Sequence, residues 1–363
     1  MEEHLDELEQ LAESAGVRVA GRAVQGRRAP DPATYIGQGK LAEIVDSARE
    51  LGADLLLFDD DLAGSQVKNV EAASGLAVMD RSGLILEIFG QRARSREART
   101  QVELARLNYM LPRLTRQWSH LSRQGGRKGV RGGEGEKQLE QDRRVLRSRI
   151  RRLEAELEKI ERTREVQRRG RRGTPVVALT GYTNAGKSTL FERLTHSGTS
   201  GEDRLFATLD AKLRRGVDGD GGPVVFADTV GFIRKLPHHL VSSFRSTLGE
   251  IASADLVLHV VDRSHPHWRE QMEIAAQVLE EIGVERERIV DVFNKSDLVP
   301  EMELRNGGLW VSAVTGEGIA ELRAELARRI ASSEPSPPQP PSPVTGRGGS
   351  PDETGWWGAP LSR

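Results

Sequence analysis

The fold of this chain is decided by one stretch, Thr180-Gly181-Tyr182-Thr183-Asn184-Ala185-Gly186-Lys187-Ser188-Thr189. It follows an apolar run, residues 175–179, and leads into residues 190–194, which predicts a buried strand, a glycine-rich turn and a helix. The pattern G-x-x-x-x-G-K-[ST] is that of a phosphate-binding loop, in which glycines let backbone N–H groups point at an anion. Lys187 would reach the β- and γ-phosphates, and Ser188 would ligate Mg²⁺. A glycine-rich turn that merely happens to precede Lys-Ser would not account for the flanking strand and helix.

Length and composition favour several domains with extended segments. The chain has 363 residues, of which 37% are hydrophobic, a low fraction for one compact fold. It contains no cysteine, which excludes disulfides and cysteine-ligated metals and fits a reducing compartment. It has no apolar run of about 18 residues and begins with an acidic segment, so neither a membrane span nor a signal peptide is expected. We therefore expect a cytoplasmic protein.

Charge is distributed unevenly along the chain. The net charge is −1, but residues 81–173 carry 26 basic and 12 acidic side chains. The remainder carries 27 basic and 42 acidic side chains. A basic middle block suggests a polyanionic partner, most simply nucleic acid. A solvated, arginine-rich helix face explains the composition equally well, so both interpretations stay open.

Residues 1–85 predict a small N-terminal α/β domain. The pattern indicates a helix at 5–15, a short strand at 17–20, a glycine-rich turn at 35–40 opening a helix to residue 51, and a buried strand at 55–58. Asp59, Asp60 and Asp61 follow that strand. A solvated loop is the favoured interpretation of these carboxylates, ahead of a metal site.

Residues 86–172 predict a long antiparallel helical hairpin. A helical pattern runs from Leu86 to Arg116, where Pro112 bends or ends it. A second helix has a heptad stripe of Leu139, Leu146, Ile150, Leu153, Leu157 and Ile160. Between them, residues 122–137 are glycine-rich and lack periodicity, which predicts a flexible tip. The basic side chains of that tip, Arg123, Arg127, Lys128 and Arg131, suit phosphates of RNA, although a loop without a partner fits as well.

Residues 173–331 predict a P-loop domain with a mostly parallel sheet and helices on both faces. Apolar runs at 224–227, 255–262, 288–293 and 309–311 predict further strands. Three of them end in polar motifs: Asp228-Thr229-Val230-Gly231, Asn294-Lys295-Ser296-Asp297 and Ser312-Ala313-Val314. D-x-x-G places a carboxylate near Mg²⁺, typically through water, and the Gly231 N–H at the γ-phosphate. Together, and in this order, the motifs indicate an enzyme that binds and hydrolyses GTP.

The motif N-K-x-D selects the base. The Asp297 carboxylate only accepts hydrogen bonds, so it pairs with the two adjacent donors of guanine, and adenine lacks that pair. Lys295 would pack its stem over the base, and Asn294 would tie the motif to the phosphate-binding loop. The Ser312-Ala313 backbone N–H groups would meet the guanine oxygen. An ATP-dependent enzyme is disfavoured for this reason.

A GTPase also needs a mobile threonine between its phosphate-binding loop and D-x-x-G, to complete Mg²⁺ coordination and sense the γ-phosphate. We assign this role to Thr208, ahead of Thr195 and Thr199, which lie too close to the preceding helix. The surrounding segment is predicted to contact the nucleotide through Phe206, Ala207, Thr208, Leu209 and Asp210. Lys187, Thr208 and Gly231 are the predicted catalytic residues.

Two positions modify the expected mechanism. Phe232 follows D-x-x-G, where many GTPases place the Gln that orients water, and an aromatic ring cannot orient water by hydrogen bonding. Intrinsic hydrolysis is therefore expected to be slow, or the missing group comes from elsewhere. Asn184 lies two residues before Gly186, and in several GTPases with this arrangement the Asn carbonyl helps to bind K⁺. The sequence leaves K⁺ activation open.

The C-terminal residues 332–363 differ in composition from the rest. Pro, Ser and Gly dominate them, which predicts a disordered tail. Trp356 and Trp357 have no periodic pattern around them and receive no assignment.

The assembled motifs resemble those of the HflX family of GTPases. The resemblance covers about 300 residues and includes the following signatures: Tyr35-Ile-Gly-Gln-Gly-Lys40, Phe58-Asp-Asp-Asp-Leu62, Asp80-Arg-Ser-Gly-Leu-Ile-Leu86, Gln101-Val-Glu-Leu-Ala105, Leu205-Phe-Ala-Thr-Leu-Asp210 and Asp228-Thr-Val-Gly-Phe-Ile233. It implies a GTPase that contacts the large ribosomal subunit through its N-terminal region and helps to dissociate idle or stalled ribosomes. It also implies that a hydrophobic residue at the Phe232 position is a family trait. We further expect a monomer away from the ribosome. The alternative is a GTP-gated RNA-binding or scaffold protein whose hydrolysis is incidental.

Overall fold

The computed structural model describes residues 2–117, 132–170, 173–195, 205–206, 208–235, 245–300 and 308–332. Its N-terminal part contains α1 (Glu2–Ser14), α2 (Gln38–Glu50), β1 (Leu55–Phe58), α3 (Gly64–Ser74) and β2 (Ala77–Asp80). Strands β1 and β2 pair in parallel, from Leu55 opposite Ala77 to Phe58 opposite Asp80. Apolar side chains of α2, β1 and α3, including Leu41, Phe58 and Val70, form a small core. The α/β character of this part is confirmed.

The structure differs from the N-terminal prediction in two details. Residues 17–20 form no strand, and the partner of β1 is β2, which the sequence did not predict. The Val17 N–H donates to the Ala12 carbonyl at 2.8 Å, so it closes the end of α1 rather than joining a ladder. Strand β2 has only four residues, too few for a periodic pattern to stand out.

The helical pattern after β2 comprises two helices instead of one. Helix α4 (Arg81–Arg92) is capped by Asp80, whose carboxylate accepts a 2.9 Å hydrogen bond from the Gly83 N–H. Helix α5 (Arg96–Gln117) contains Pro112 in its interior, so of the two predicted alternatives the helix does not end there, and a bend at Pro112 stays a prediction. The proline removes one backbone donor, and the turns on either side sustain the helix. Helix α4 runs across the predicted domain boundary at residue 85, and the division into domains stays a prediction.

The second helix of the hairpin is long. Helix α6 (Gly132–Gly170) has 39 residues and would span roughly 58 Å at 1.5 Å per residue. Ion pairs Arg96–Glu156 and Arg149–Glu103 show that it runs antiparallel to α5. Residues 132–137, predicted as loop, belong to this helix, because adding a turn to an existing helix costs less than starting one. The predicted tip residues Arg123, Arg127, Lys128 and Arg131 lie outside the described residues.

The C-terminal part is built on a six-stranded sheet. Its elements are β3 (Val176–Thr180), α7 (Lys187–Thr195), β4 (Lys212–Val217), β5 (Pro223–Asp228), α8 (Arg245–Ala252), β6 (Leu256–Asp262), α9 (Trp268–Glu281), β7 (Ile289–Asn294), β8 (Leu309–Trp310) and α10 (Ile319–Ser332). The strand order is β4-β5-β3-β6-β7-β8, with only β4 antiparallel to its neighbour. Strand β4 was not predicted, because it is an exposed edge strand with several charged side chains.

Buried side chains cover both faces of this sheet. One face packs against α7 and α10 through residues such as Leu190 and Leu326. The other face packs against α8 and α9 and continues into α1, α4 and α5 of the N-terminal half, including Leu11 and Phe89. The two halves therefore share one apolar core, and the predicted mostly parallel sheet with helices on both faces is confirmed. Within the described ranges, no helix is long and apolar enough to cross a membrane.

Candidate functional site

The carboxyl ends of β3, β5 and β7 bring the predicted motifs together. The loop after β3 needs both of its glycines. Gly181 has φ +139°, and a Cβ there would lie 2.1 Å from the Val260 carbonyl oxygen. Gly186 has φ +87°, and its Cβ would lie 2.2 Å from Nδ2 of Asn294. The loop is thus packed so closely that no side chain fits at either position.

Asn294 joins three of the motifs. Its Nδ2 donates to the Ala185 carbonyl at 2.8 Å, and its Oδ1 accepts from the Ala313 N–H at 3.0 Å. One buried amide side chain therefore fixes the phosphate-binding loop, the end of β7 and the segment after β8 relative to each other. This is the connection between Asn294 and the phosphate-binding loop that the sequence predicts.

These motifs enclose a cavity of about 300 Å³, a size typical of small-molecule sites. Fifteen of its lining residues were predicted: Thr183, Asn184, Gly186, Lys187, Ser188, Thr189, Phe206, Thr208, Thr229, Gly231, Asn294, Lys295, Asp297, Ala313 and Val314. Leu298 lines it as well and was not predicted. The other predicted residues in the described ranges do not line the cavity: Gly181, Tyr182, Ala185, Leu209, Asp210, Asp228, Val230, Ser296 and Ser312. Ala207 lies outside the described residues.

Three oxygen ligands converge at one end of the cavity. The hydroxyls of Ser188 and Thr208 each donate to Oδ2 of Asp228 at 2.8 Å, and they lie 3.0 Å from each other. Asp228 is fully buried, and burial raises the pKa of its carboxyl. Its Oδ1 has no hydrogen-bond partner within the part of the chain that is described. Mg²⁺ prefers hard oxygen ligands, and this buried cluster offers two hydroxyls and a carboxylate with one oxygen left for a metal ion.

Lys187 is enclosed beside this cluster. Its Nζ donates to the Tyr182 carbonyl at 2.6 Å, and burial lowers the pKa of its ammonium group to about 8, against an opposing effect of Asp228. Gly231 lies so close that a Cβ there would be 2.7 Å from that Nζ. The site therefore holds a desolvated cation at the phosphate-binding loop.

Lys295 is held by a residue that the sequence analysis missed. Its Nζ lies 2.7 Å from Oδ2 of Asp262, the last residue of β6. Lys295 has a left-handed backbone, φ +62°, and Asp297 two residues later lies on the exposed rim of the cavity. Asp262 could have been identified from the sequence, because it is a carboxylate at the end of the predicted strand 255–262.

Three predicted site residues lie elsewhere. The Asp210 carboxylate accepts hydrogen bonds from the Arg94 and Ser95 N–H groups, at 3.0 and 3.1 Å, so it faces the α4–α5 corner and not the cavity. Leu209 is buried in the shared core. The Tyr182 hydroxyl donates to Glu7 of α1 at 2.6 Å. The weaker alternative Thr195 bonds the Phe191 carbonyl within α7, and Thr199 lies outside the described residues.

Phe232 contributes its backbone rather than its ring. Its N–H donates to the Gly181 carbonyl at 2.9 Å, and its carbonyl accepts from the Thr183 N–H at 2.7 Å. The ring itself is 1% exposed and packs in the core. The segment after D-x-x-G is therefore paired directly with the phosphate-binding loop.

Comparisons with known proteins found matching family models, related sequences and a related solved structure. Three family models match the chain: "GTP-binding GTPase N-terminal" over residues 2–90, "GTP-binding GTPase Middle Region" over 92–171 and "50S ribosome-binding GTPase" over 176–295. "GTPase HflX" of Magnetococcus marinus is 47% identical over 334 residues, covering 90% of this chain and 77% of the relative. "GTPase HflX" of Escherichia coli K12 is 44% identical, covering 90% and 79%. A crystal structure of the "SsGBP and GDP complex" is 27% identical with a TM-score of 0.50, covering 91% and 94%.

Proposed function

This chain belongs to the HflX family of GTPases, and on that premise we propose that it couples GTP hydrolysis to association with the large ribosomal subunit and helps to split or rescue idle or stalled ribosomes. GTP binding and hydrolysis follow from the family and from its GTPase domain. The model matched over residues 176–295 is described as ribosome-binding, which supports the choice of partner.

The observation that carries this proposal is an arginine face on α6. Arg144, Arg147 and Arg151 are exposed, and their spacing of three and four residues puts them on one side of the helix, whereas Ile150 and Leu153 are buried against α5. Within the described residues, none of the three has an acidic partner. Unpaired guanidinium groups along about 10 Å of helix suit the phosphates of an RNA backbone.

A triple variant and a double control variant test the ribosomal partner. Arg144→Gln, Arg147→Gln and Arg151→Gln together should weaken binding to purified large subunits and lower the slope of log affinity against log salt by about 2 to 3. The control is the double variant Arg149→Gln and Arg162→Gln, because those exposed arginines already pair with Glu103 and Glu158. Equal binding by the triple variant and the control would contradict a role of this face.

The residues of the cavity have separable proposed roles in hydrolysis. Lys187 and the backbone of residues 183–189 bind the β- and γ-phosphates, with the Gly231 N–H at the γ-phosphate. Ser188, Thr208 and Asp228 would hold Mg²⁺, which supplies positive charge against the charge that develops on the phosphates. Asp297 accepts the two donors of guanine, and the segment 312–314 meets the guanine oxygen. The Phe232 ring has no hydrogen-bonding group and does not orient the attacking water.

Because Phe232 cannot orient the attacking water, the second test asks whether the large subunit stimulates hydrolysis. Purified large subunits are titrated into a GTPase assay, and a large increase in kcat supports a ribosome-directed switch in which the partner completes the site. Binding without stimulation supports the alternative, a GTP-gated RNA-binding or scaffold protein in ribosome assembly.

We also propose that K⁺ activates GTP hydrolysis and that Asn184 helps to bind this ion. This residue is exposed at the mouth of the cavity and has a left-handed backbone, φ +61°. Activity should be higher in K⁺ than in Na⁺, with and without subunits, and Asn184→Ser should reduce the difference. Equal rates in the two salts would reject this role.

A further inference from the structure

The base of the helical hairpin is capped by a residue from the nucleotide-binding half of the chain. Helix α5 begins after Ser95, whose hydroxyl accepts from the Ala98 N–H at 3.0 Å. Oδ2 of Asp210 accepts from the Arg94 and Ser95 N–H groups at 3.0 and 3.1 Å. Its Oδ1 accepts from the Ser95 hydroxyl. The N-terminus of α5 thus receives a full negative charge from a residue 115 positions away, where charge and helix dipole attract each other.

The same short segment carries the Thr208 hydroxyl into the Mg²⁺ site. That hydroxyl lies 2.8 Å from Oδ2 of Asp228 and 3.0 Å from Oγ of Ser188. On one side of Thr208, the Phe206 ring packs edge-on against Phe89 of α4, with the ring centroids 4.8 Å apart. On the other side, Asp210 binds the start of α5. Thr208 is therefore held in place from both sides by the α4–α5 corner.

We propose that Asp210 is a positioning residue: it holds Thr208 ready for Mg²⁺ and GTP, and through the same bonds it transmits the state of the nucleotide site to the hairpin. The inference rests on the proposed roles of Thr208 and Mg²⁺. A segment fixed at Phe206 and Asp210 loses less conformational freedom when Thr208 engages its ligands. By linkage, a ligand that fixes Thr208 also stabilises the Asp210 bonds to α5.

This arrangement separates GTP from GDP. Thr208 is proposed to respond to the γ-phosphate and Mg²⁺, whereas GDP is bound mainly through the phosphate-binding loop and the base. Loss of the Asp210 carboxylate should therefore lower the affinity for a non-hydrolysable GTP analogue more than the affinity for GDP. We expect the ratio of the two affinities to fall by at least about fivefold, the lower end of typical couplings between sites.

The experiment compares Asp210→Ala with Asp218→Ala in the full-length protein. Asp218 is a matched control because its carboxylate also accepts two backbone hydrogen bonds, from Asp220 and Gly222 at 2.9 and 2.8 Å, in the turn after β4. The affinities for the GTP analogue and for GDP are measured at several Mg²⁺ concentrations. Hydrogen exchange then reports the amides of Arg94 and Ser95, which should be better protected with the GTP analogue than with GDP in the wild type only.

The outcomes separate this inference from the proposed function. If the wild type does not bind the GTP analogue in a Mg²⁺-dependent way, the proposed roles of the site fail. If it does, but Asp210→Ala changes both affinities equally, or keeps the exchange difference at Arg94 and Ser95, the positioning role is overturned. Should Asp210→Ala not fold, Asp210→Asn, which keeps one acceptor oxygen and loses the charge, is judged by the same two criteria.

Discussion

The Tyr182 hydroxyl donates a 2.6 Å hydrogen bond to the Glu7 carboxylate, so the phosphate-binding loop is joined to the first helix of the chain, 175 residues away. The same oxygen accepts from the Arg234 N–H at 2.8 Å, just after D-x-x-G. Glu7 also pairs with Arg81, which is almost fully buried and lies 2.6 Å from Asp59. Lys235 extends this network to Asp59 and Asp60 at 2.7 and 2.6 Å. The N-terminal half thus contacts both the phosphate-binding loop and the segment that follows D-x-x-G.

Tyr182→Phe should destabilise the protein by about 1 to 3 kcal/mol, because it leaves the partly buried Glu7 carboxylate and the Arg234 N–H without this partner. Burial and Glu7 raise the pKa of the Tyr182 hydroxyl, so it remains a donor throughout the usable pH range. Urea unfolding measures the effect. Tyr35→Phe is the matched control, since the more exposed Tyr35 hydroxyl bonds Asp60, and its loss should cost less. A smaller effect at Tyr182 than at Tyr35 would contradict the importance of this bond.

Asp228→Asn should stabilise the nucleotide-free protein by about 1 kcal/mol, because it removes a buried charge that has an incomplete set of partners. The same variant should lose Mg²⁺-dependent GTP hydrolysis. Urea unfolding without nucleotide and a GTPase assay measure the two effects. The control is Asp255→Asn at the opposite end of the sheet, where an exposed carboxylate accepts the Val176 N–H at 2.7 Å. Asp255→Asn should lower stability and leave hydrolysis intact. Retained hydrolysis in Asp228→Asn would exclude the proposed role of Asp228 in holding Mg²⁺.

Nucleotide affinity should fall above pH 8. Burial lowers the pKa of free Lys187 to about 8, so its ammonium group loses a proton as the pH rises through that value. A bound phosphate keeps the ammonium form, so binding takes up a proton at pH 9 and the affinity falls up to about tenfold per pH unit. Calorimetry of GDP binding at pH 9, in buffers that differ in ionisation enthalpy, measures the number of protons taken up on binding. No uptake would show that Lys187 stays charged in the free protein, and Lys187→Arg, which does not titrate, should show none.

Asp297→Asn should shift preference from guanine to xanthine nucleotides. The substitution replaces an acceptor by a group that also donates, and xanthine offers a carbonyl where guanine has its amino group. Loss of a hydrogen bond to a charged group should weaken GDP binding by about 10- to 100-fold. Competition with a fluorescent nucleotide gives both affinities. Asp291→Asn is the control, because that carboxylate pairs with His259 on β6 at 2.9 Å, outside the cavity. An unchanged preference for guanine in Asp297→Asn would reject the proposed base recognition.

Much of the candidate site could be predicted from the sequence, because its motifs act locally. Gly181 to Ser188 form their loop from adjacent backbone groups, and each further motif follows a strand whose apolar run is visible by itself. Parallel strands then bring their carboxyl ends to one edge of the sheet, so Asp228 and Asn294 meet the loop without any further information. The heptad stripe likewise indicated the pairing of α5 and α6, and α5 continues past Pro112.

The sequence alone thus determined the class of fold, the nucleotide chemistry and the order of its motifs, since each depends on residues that are neighbours in the chain. Only the tertiary structure decided that Tyr182 faces Glu7, that Asp262 holds Lys295 and that Asp210 caps α5 instead of lining the cavity. These contacts join residues up to 175 positions apart, and no periodicity encodes which of many carboxylates will reach a given donor. The packing of α1, α4 and α5 against the sheet in one shared core sets the partners of Glu7 and Asp210, and the register of β6 with β7 sets that of Asp262.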